Sequence, residues 1–484
     1  MKILKVLSNQ YFWLGIILIL ATWVRIYKID SPIADWHSWR QADTAAVTRN
    51  FIKEGFNPFF PKGDDMSGIA DIPMVNSLRL RFVEFPVYNI AVYPFYLIFG
   101  VNEVYSRLVS ILFSLGSLIF IYLIARKCLG RFSALLSAFC FGLLPFNVFF
   151  SRTTLPEPTF IFFALGMVYF LDKFSSLGFI FMAVAFLIKP WAFFFYLPII
   201  YSALKKGKHF FFKKFIPLSL IALLPFVLWR LWILQQPESI PAAGWLMNGD
   251  GIRFKPAFWQ WILSERLGGE ILGVTGLFLF LIGFITRPKN GYFLHIWALA
   301  IFLYFAIFAT GNVRHDYYQV LFVPVASIFL AKGFVDLFKG GLNYVSRIWM
   351  ILLALLFLPL TFYLTWDRNK EFYNINNPSI VEAGKMADKI LPKNAIVLAP
   401  YNGDSAFLYQ TNRAGFAFIP SGALVKDYIA DYGVSAWVST SLDNRTNWVM
   451  RHFQLLEQNP KFVIVDLTHS INNLDDTLDP EPKE

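Results

Sequence analysis

Long apolar runs separated by short basic turns fill most of the chain. Runs near 104–125, 132–150, 215–235, 268–286, 291–310, 319–338 and 346–366 approach the roughly 20 residues that a helix needs to cross a bilayer. Another run, 11–24, follows a short basic start at Lys2 and Lys5. No small-residue cleavage pattern comes after it, so it reads as an uncleaved first span rather than a signal peptide. Three shorter runs lie between 159 and 204, interrupted by Asp172-Lys173 and Lys189-Pro190. Together these predict about eleven spans. The stretch 86–99 is aromatic, interrupted by Pro94 and short, and fits an interfacial helix. As a span it would reverse the side of every later loop. After about residue 370 polar residues return, with a predicted helix at Val381–Ile390, a strand at Ala395–Leu398 and a late strand at Phe462–Val465. The expected fold is therefore mainly α: a polytopic transmembrane helical bundle over 1–366 that includes an extracytoplasmic loop at 28–103, then a soluble extracytoplasmic α/β domain at 367–474 and an acidic, disordered tail at 475–484.

Composition strengthens that picture. The chain is 56% hydrophobic and 15% charged, with a mean hydropathy of +0.51, which places most of it in lipid rather than in a globular domain. The net charge of +11 needs another explanation than nucleic acid, because the basic residues do not form a continuous face. They cluster as Arg126-Lys127 with Arg131, then Lys205, Lys206, Lys208, Lys213 and Lys214, then Arg287 and Lys289, then Lys332, Lys339 and Arg347. All of these turns fall on one side, which the positive-inside rule makes the cytoplasm. The other side receives the loops 28–103, 151–158, 236–266 and 311–318 and everything after 366. Cys128 and Cys140, separated by a turn and part of an apolar run, argue against a disulfide framework or a cysteine metal site.

The first loop opens with His37-Ser38-Trp39-Arg40-Gln41-Ala42-Asp43. Ser38-x-x-Gln41 has the form of a capping box, small residues follow, and Gly55 supplies a stop, so a helix is predicted over 38–54. Arg40 and Asp43, three apart, should then lie side by side on one face, with His37 just before the cap. A structural ion pair is the plain reading of such a pair, and a carboxylate placed for chemistry is the other. Asp35 is a rival carboxylate, or a cap of the same helix. Glu157 stands between two prolines at a helix head, where the helix dipole alone would welcome an acid. Lys189 beside an apolar span calls for a partner, unless it snorkels to the interface. His315, Tyr317 and Tyr318 head another span, where an aromatic belt is the default.

These segments in this order resemble the GT-C membrane glycosyltransferases, in particular the bacterial branch related to protein O-mannosyltransferases and the lipid A aminoarabinose transferase. The resemblance runs over about residues 10–366 and rests on the His37–Asp43 segment, Glu84-Phe85-Pro86, Arg152-Thr153-Thr154-Leu155-Pro156-Glu157-Pro158, Leu187-Ile188-Lys189-Pro190 and Arg314-His315-Asp316-Tyr317-Tyr318. It implies an enzyme of the inner membrane, active on the extracytoplasmic side, that inverts a sugar taken from a polyprenyl-phosphate donor. The acceptor would be a glycan, a lipid or a protein. A first-loop acid would be the catalytic carboxylate: Asp43, with Asp35 the alternative. Glu157 matches the second acidic loop, as a second catalytic acid that would orient the acceptor or assist the base. Glu84 corresponds to the acid of a Glu-Lys-Pro segment that lies near the lipid phosphate or a metal, and Phe85 replaces the lysine here. Phosphate and sugar binding would fall to Arg40, Lys189, Arg314, His315, Tyr317 and Tyr318, with Arg79 and Arg81 as further cations. No cofactor is certain; a divalent metal is left open, since Glu84 with one histidine is an incomplete set. The chief alternative is a transporter or flippase of a lipid-linked saccharide, which would put its charges near mid-membrane. Most acids here lie in the outer loops.

Overall fold

The computed structural model describes residues 9–70, 75–286, 288, 291–340, 345–420 and 422–472. Lys2, Lys5, Arg287, Lys289 and the acidic tail 475–484 lie outside the described residues. The chain forms two compact units. One is helical and takes residues 9–29, 107–232 and 243–372; the other is mixed and takes 30–106, 233–242 and 373–472.

Each apolar run becomes helical, some of them with a break. Four helices are long and apolar enough to cross a membrane: Glu103–Leu129, Lys208–Ile233, Asp316–Phe338 and the one that begins at Arg347. A fifth candidate is a pair, Pro256–Ile271 and Gly273–Ile285, bent by 108°. Shorter apolar helices occupy Gln10–Ile26, Arg131–Leu143, Leu177–Ile188, Ala192–Lys205 and Phe293–Ile307. Proline explains two of the breaks. Leu144 precedes Pro145 and takes the extended ψ of 119° that the proline ring imposes, so one helix stops and Pro145–Phe150 restarts with proline in its first turn. Lys189 precedes Pro190 and is likewise extended, at φ −149° and ψ 132°, which ends the helix Leu177–Ile188 and turns the lysine out of its line.

Helix contacts in this unit depend on small residues. Gly283 and Gly333 face each other so closely that a Cβ on Gly333 would overlap the Leu279 carbonyl, and one on Gly283 the Phe329 carbonyl. Buried charge is also present. Arg25 is fully buried and donates to the carbonyls of Ala21 and Gly142 and to Ser151 Oγ at 2.6–2.8 Å, so backbone acceptors take up the donors of a cation that lipid would not tolerate.

The mixed unit is built on a five-stranded sheet of β1 (Ile396–Leu398), β2 (Ala414–Phe416), β3 (Ala436–Ser439), β4 (Phe453–Gln458) and β5 (Val463–Ser470), in the order β2-β1-β3-β5-β4. β1 runs parallel to β2 and β3, whereas β5 runs antiparallel to β3 and β4. The first-loop helix Ser38–Glu54 joins the same core. Its small face, Ala42, Ala45 and Ala46, is buried with Ile380, Ala383, Ala406 and Phe407, and Val87–Phe99 forms the short helix expected there.

The helix covers the predicted residues, but its start is built differently from the expected capping box. His37, in the left-handed region at φ 54°, is the cap and makes no side-chain capping bond. Ser38 Oγ instead donates to Asp404 Oδ2 at 3.1 Å, and Gln41 Nε2 donates to Asp35 Oδ1 at 2.6 Å and to the Trp36 carbonyl at 3.0 Å. Asp404, far along the chain, and Asp35 and Trp36, just before the helix, outcompeted the capping box.

Candidate active site

In the mixed unit the first-loop helix carries two acid–base pairs, and the partners come from further along the chain than sequence spacing suggested. Arg40 and Asp43 do not pair with each other. The Arg40 Nη2 grips both oxygens of Glu84, at 2.6 and 2.7 Å. Asp43 Oδ1 accepts from Arg81 Nη2 and from Ser405 Oγ, both at 2.9 Å. All four charged side chains are nearly buried, at 6% to 13% exposure, so solvent ions screen each pair less than they would a surface bridge. Arg81 also reaches Asp65 at 3.4 Å.

Local folding explains the placement of Arg81. Lys62 and Leu80 form an antiparallel bridge, the Arg81 N–H donates to the Pro61 carbonyl and Gly63 N–H to the Arg79 carbonyl, and Asn76 Nδ2 holds the Leu80 carbonyl. Arg79 takes a left-handed φ of 58° in that turn. Its guanidinium goes to Glu54 rather than to Asp43.

Arg40, Asp43, Arg81 and Glu84 line one recess with Thr44, Val47, Pro61, Val83, Pro86 and Asn89. Its free volume is about 10 Å³, room for about one water. Among the described residues no hydrogen bond reaches the second Asp43 oxygen, Oδ2. Asp35 is buried against Gln41. Asp404, which Ser38 contacts, has its carboxyl pushed up by burial, with the charge of Asp43 adding to the effect. Ser405 and Asp404 were not singled out by sequence; only the capping of the following helix, Ser405–Thr411, by Asp404 leaves a local trace.

In the helical unit, Glu157 heads the helix Glu157–Asp172 and is fully buried. Lys189 Nζ donates to its Oε1 at 2.6 Å and stands 4.5 Å from the Trp191 ring centre and 5.7 Å from that of Tyr318. Lys189 therefore has its partner, as its cost beside an apolar span requires. Glu157 Oε2 is buried without a hydrogen bond among the described residues. Of the Arg314–Tyr318 segment, Tyr317 and Tyr318 are buried, His315 stacks on Tyr317 with ring centres 5.5 Å apart, and Arg314 is exposed, 5.5 Å from the Trp245 ring. Asp316 between them is tied to Arg266 at 2.6 Å, a cation that sequence reading passed over. Among the described residues no three His, Cys, Asp or Glu side chains converge as a metal site.

Comparison with known proteins bears on this arrangement at two levels. Residues 85–232 match the family model of the dolichyl-phosphate-mannose-protein mannosyltransferases. An uncharacterized protein of Aquifex aeolicus is 43% identical over 96 residues, 19% of this chain; the chain spans about a quarter of that curated relative, 23% of its length. In three dimensions the chain is similar to ArnT from Cupriavidus metallidurans bound to undecaprenyl phosphate, with a TM-score of 0.61 at 14% identity over 94% of this chain and 98% of that one. It is similar also to the oligosaccharyltransferase of Archaeoglobus fulgidus, with a TM-score of 0.54 at 12% identity over 89% of this chain and 70% of that one. At such identities the structural likeness speaks to the fold. The chain thus has several helices able to cross a membrane, is similar to the mannosyltransferase family over residues 85–232, and shares its fold with ArnT.

Proposed function

We propose that the protein is an inverting glycosyltransferase that moves a sugar from a polyprenyl-phosphate donor to an acceptor on the outer face of the cytoplasmic membrane. The undecaprenyl phosphate named with ArnT supports the donor class. In this reading the chain crosses the membrane eleven times, with its Lys/Arg-rich turns cytoplasmic.

The observation that carries the chemistry is the Asp43 carboxylate. Arg81 and Ser405 hold Oδ1, which leaves Oδ2 to accept a proton from an acceptor hydroxyl, the role of a general base. Asp43 Oδ2 takes the hydroxyl proton, and the acceptor oxygen forms a bond to the anomeric carbon opposite the phosphate. The bond from that carbon to the phosphate oxygen breaks, and polyprenyl phosphate leaves with the electron pair. One displacement inverts the centre and needs no covalent enzyme intermediate. Arg40, clamped by Glu84, supplies positive charge in the recess that Asp43 lines. Lys189 and Arg314 bind the donor phosphate, a charge that fixed cations stabilise as it develops. His315, Tyr317 and Tyr318 bind the donor near them, and Glu157 assists by holding Lys189.

Asp43→Asn tests the assignment, because the amide keeps the shape and loses the base. Transfer is expected to fall to background while expression and donor binding stay as in the wild type, and Asp35→Asn is expected to retain turnover. Normal turnover by the Asp43→Asn protein would refute the role of Asp43.

A further inference from the structure

The mixed unit holds a second and larger cavity, of about 370 Å³, that shares no lining residue with the Asp43 recess. Its size lies within the roughly 300–1,000 Å³ typical of small-molecule clefts. Lys53 and Glu54 reach it from the end of the first-loop helix, Arg79 from the turn before Leu80, Lys393 and Asn394 from the approach to β1, and Asn412 and Arg413 from the approach to β2.

Charge around this cavity is unbalanced. The carboxylates present are shared: Glu54 by Arg79 and Lys62, Asp388 by Lys393 and Arg413, and Asp64 is held by Arg49. Lys53 donates only to the carbonyl and side chain of Asn412 among the described residues. Among the described residues the cavity wall itself thus carries four cations, Lys53, Arg79, Lys393 and Arg413, against two carboxylates, Glu54 and Asp64. Arg413 cannot swing away, since its buried guanidinium is fixed by the carbonyls of Leu391 and Pro392 as well as by Asp388. Burial lowers the Lys53 amine to about 8, with Arg49 and Arg413 adding to the effect despite Asp64 and Asp388. An excess of positive charge in a concave wall attracts and concentrates an anion.

The remaining lining narrows the kind of anion. Asn50, Asn394, Asn412 and Ser77 offer amides and a hydroxyl, Met66 and Ile396 an apolar patch, and no aromatic ring lines the cavity among the described residues. Amides and hydroxyls suit a hydroxyl-rich ligand, whereas a nucleobase would find nothing to stack on. We propose that this cavity binds an acidic saccharide, one bearing a carboxylate or a phosphate, with Lys53, Arg79 and Lys393 on the acid and Asn394, Asn412 and Ser77 on the hydroxyls. The assignment does not rest on the transfer reaction proposed above.

Calorimetric titration of the full chain in detergent tests it, with glucuronate, glucose 6-phosphate, glucose and inorganic phosphate as probes. At least one acidic sugar is expected to bind about tenfold more tightly than glucose and than inorganic phosphate, the scale of one charge-assisted contact. The double variant Lys53→Glu/Lys393→Glu should lose about tenfold or more, and Lys53→Gln/Lys393→Gln should lose less. The Asp43→Asn protein should bind as the wild type does, which separates this site from the transfer reaction. No binding of either acidic sugar, equal binding of glucose, equal binding of phosphate alone, or unchanged affinity in both double variants overturns the proposal.

Discussion

Removing one member of the Glu157–Lys189 pair should harm the protein far more than removing both. Glu157 has a side-chain exposure of 0% and Lys189 of 8%, with 2.6 Å between charged atoms. At that distance the attraction is roughly 6 kcal/mol for an effective dielectric near 20, but desolvation of the two ions offsets much of it. The pair is therefore close to neutral as a unit, and each ion alone is a liability. Glu157→Gln leaves a buried ammonium and Lys189→Met a buried carboxylate, each expected to cost about 3–5 kcal/mol. In Glu157→Gln/Lys189→Met no charge remains, and the double variant should be more stable than either single one. Unfolding of the four proteins in the same detergent completes a double-mutant cycle, with a coupling of about 2 kcal/mol or more expected. Additive losses would refute the reasoning, because they would mean that the two side chains do not compensate each other.

Gly333→Ala should destabilise the helical unit by about 1–3 kcal/mol or more, since the added Cβ overlaps the Leu279 backbone and the two helices must move apart; thermal unfolding in detergent measures it, and an unchanged midpoint would contradict it. Asp388 gives a pH effect with a fixed sign. Burial would raise its carboxyl, but hydrogen bonds from Arg413, Lys393 and Asn412 hold it at about 2, below its ordinary 3.8. Its contribution to stability is thus complete above about pH 4 and is lost as pH falls through 2. The unfolding temperature of Asp388→Asn should accordingly fall less steeply than that of the wild type between pH 4 and 2.

Local patterns carried the parts of this structure that local physics decides. The first-loop helix at 38–54 was legible because small residues, a polar start and Gly55 all lie within a few turns. The break at Lys189-Pro190 was legible because proline restricts the residue before it. What failed was the pairing of side chains. Arg40 and Asp43 sit three apart and invited an intrahelical bridge, yet Glu84 and Arg81 won, some forty residues away, because burial in a shared core lets them approach without water between them. Ser405 reaches Asp43 from 362 positions further along, and no periodicity can encode such a contact. The common core of the first loop and the C-terminal sheet was hidden for the same reason. Arg25 did leave a signal: it is the one charged residue in the helix Gln10–Ile26, and its cost in such a run calls for buried partners.

The central claim is a transfer that releases polyprenyl phosphate, and its most direct measurement follows that lipid. Purified protein in lipid nanodiscs would be incubated with a panel of polyprenyl-phosphate sugars and an envelope extract as acceptor, and free polyprenyl phosphate quantified by mass spectrometry. Release from at least one donor, dependent on the extract and lost in Asp43→Asn, is the predicted result. Intact donor throughout, with the lipid-linked saccharide instead carried across a bilayer by the reconstituted protein, would contradict it.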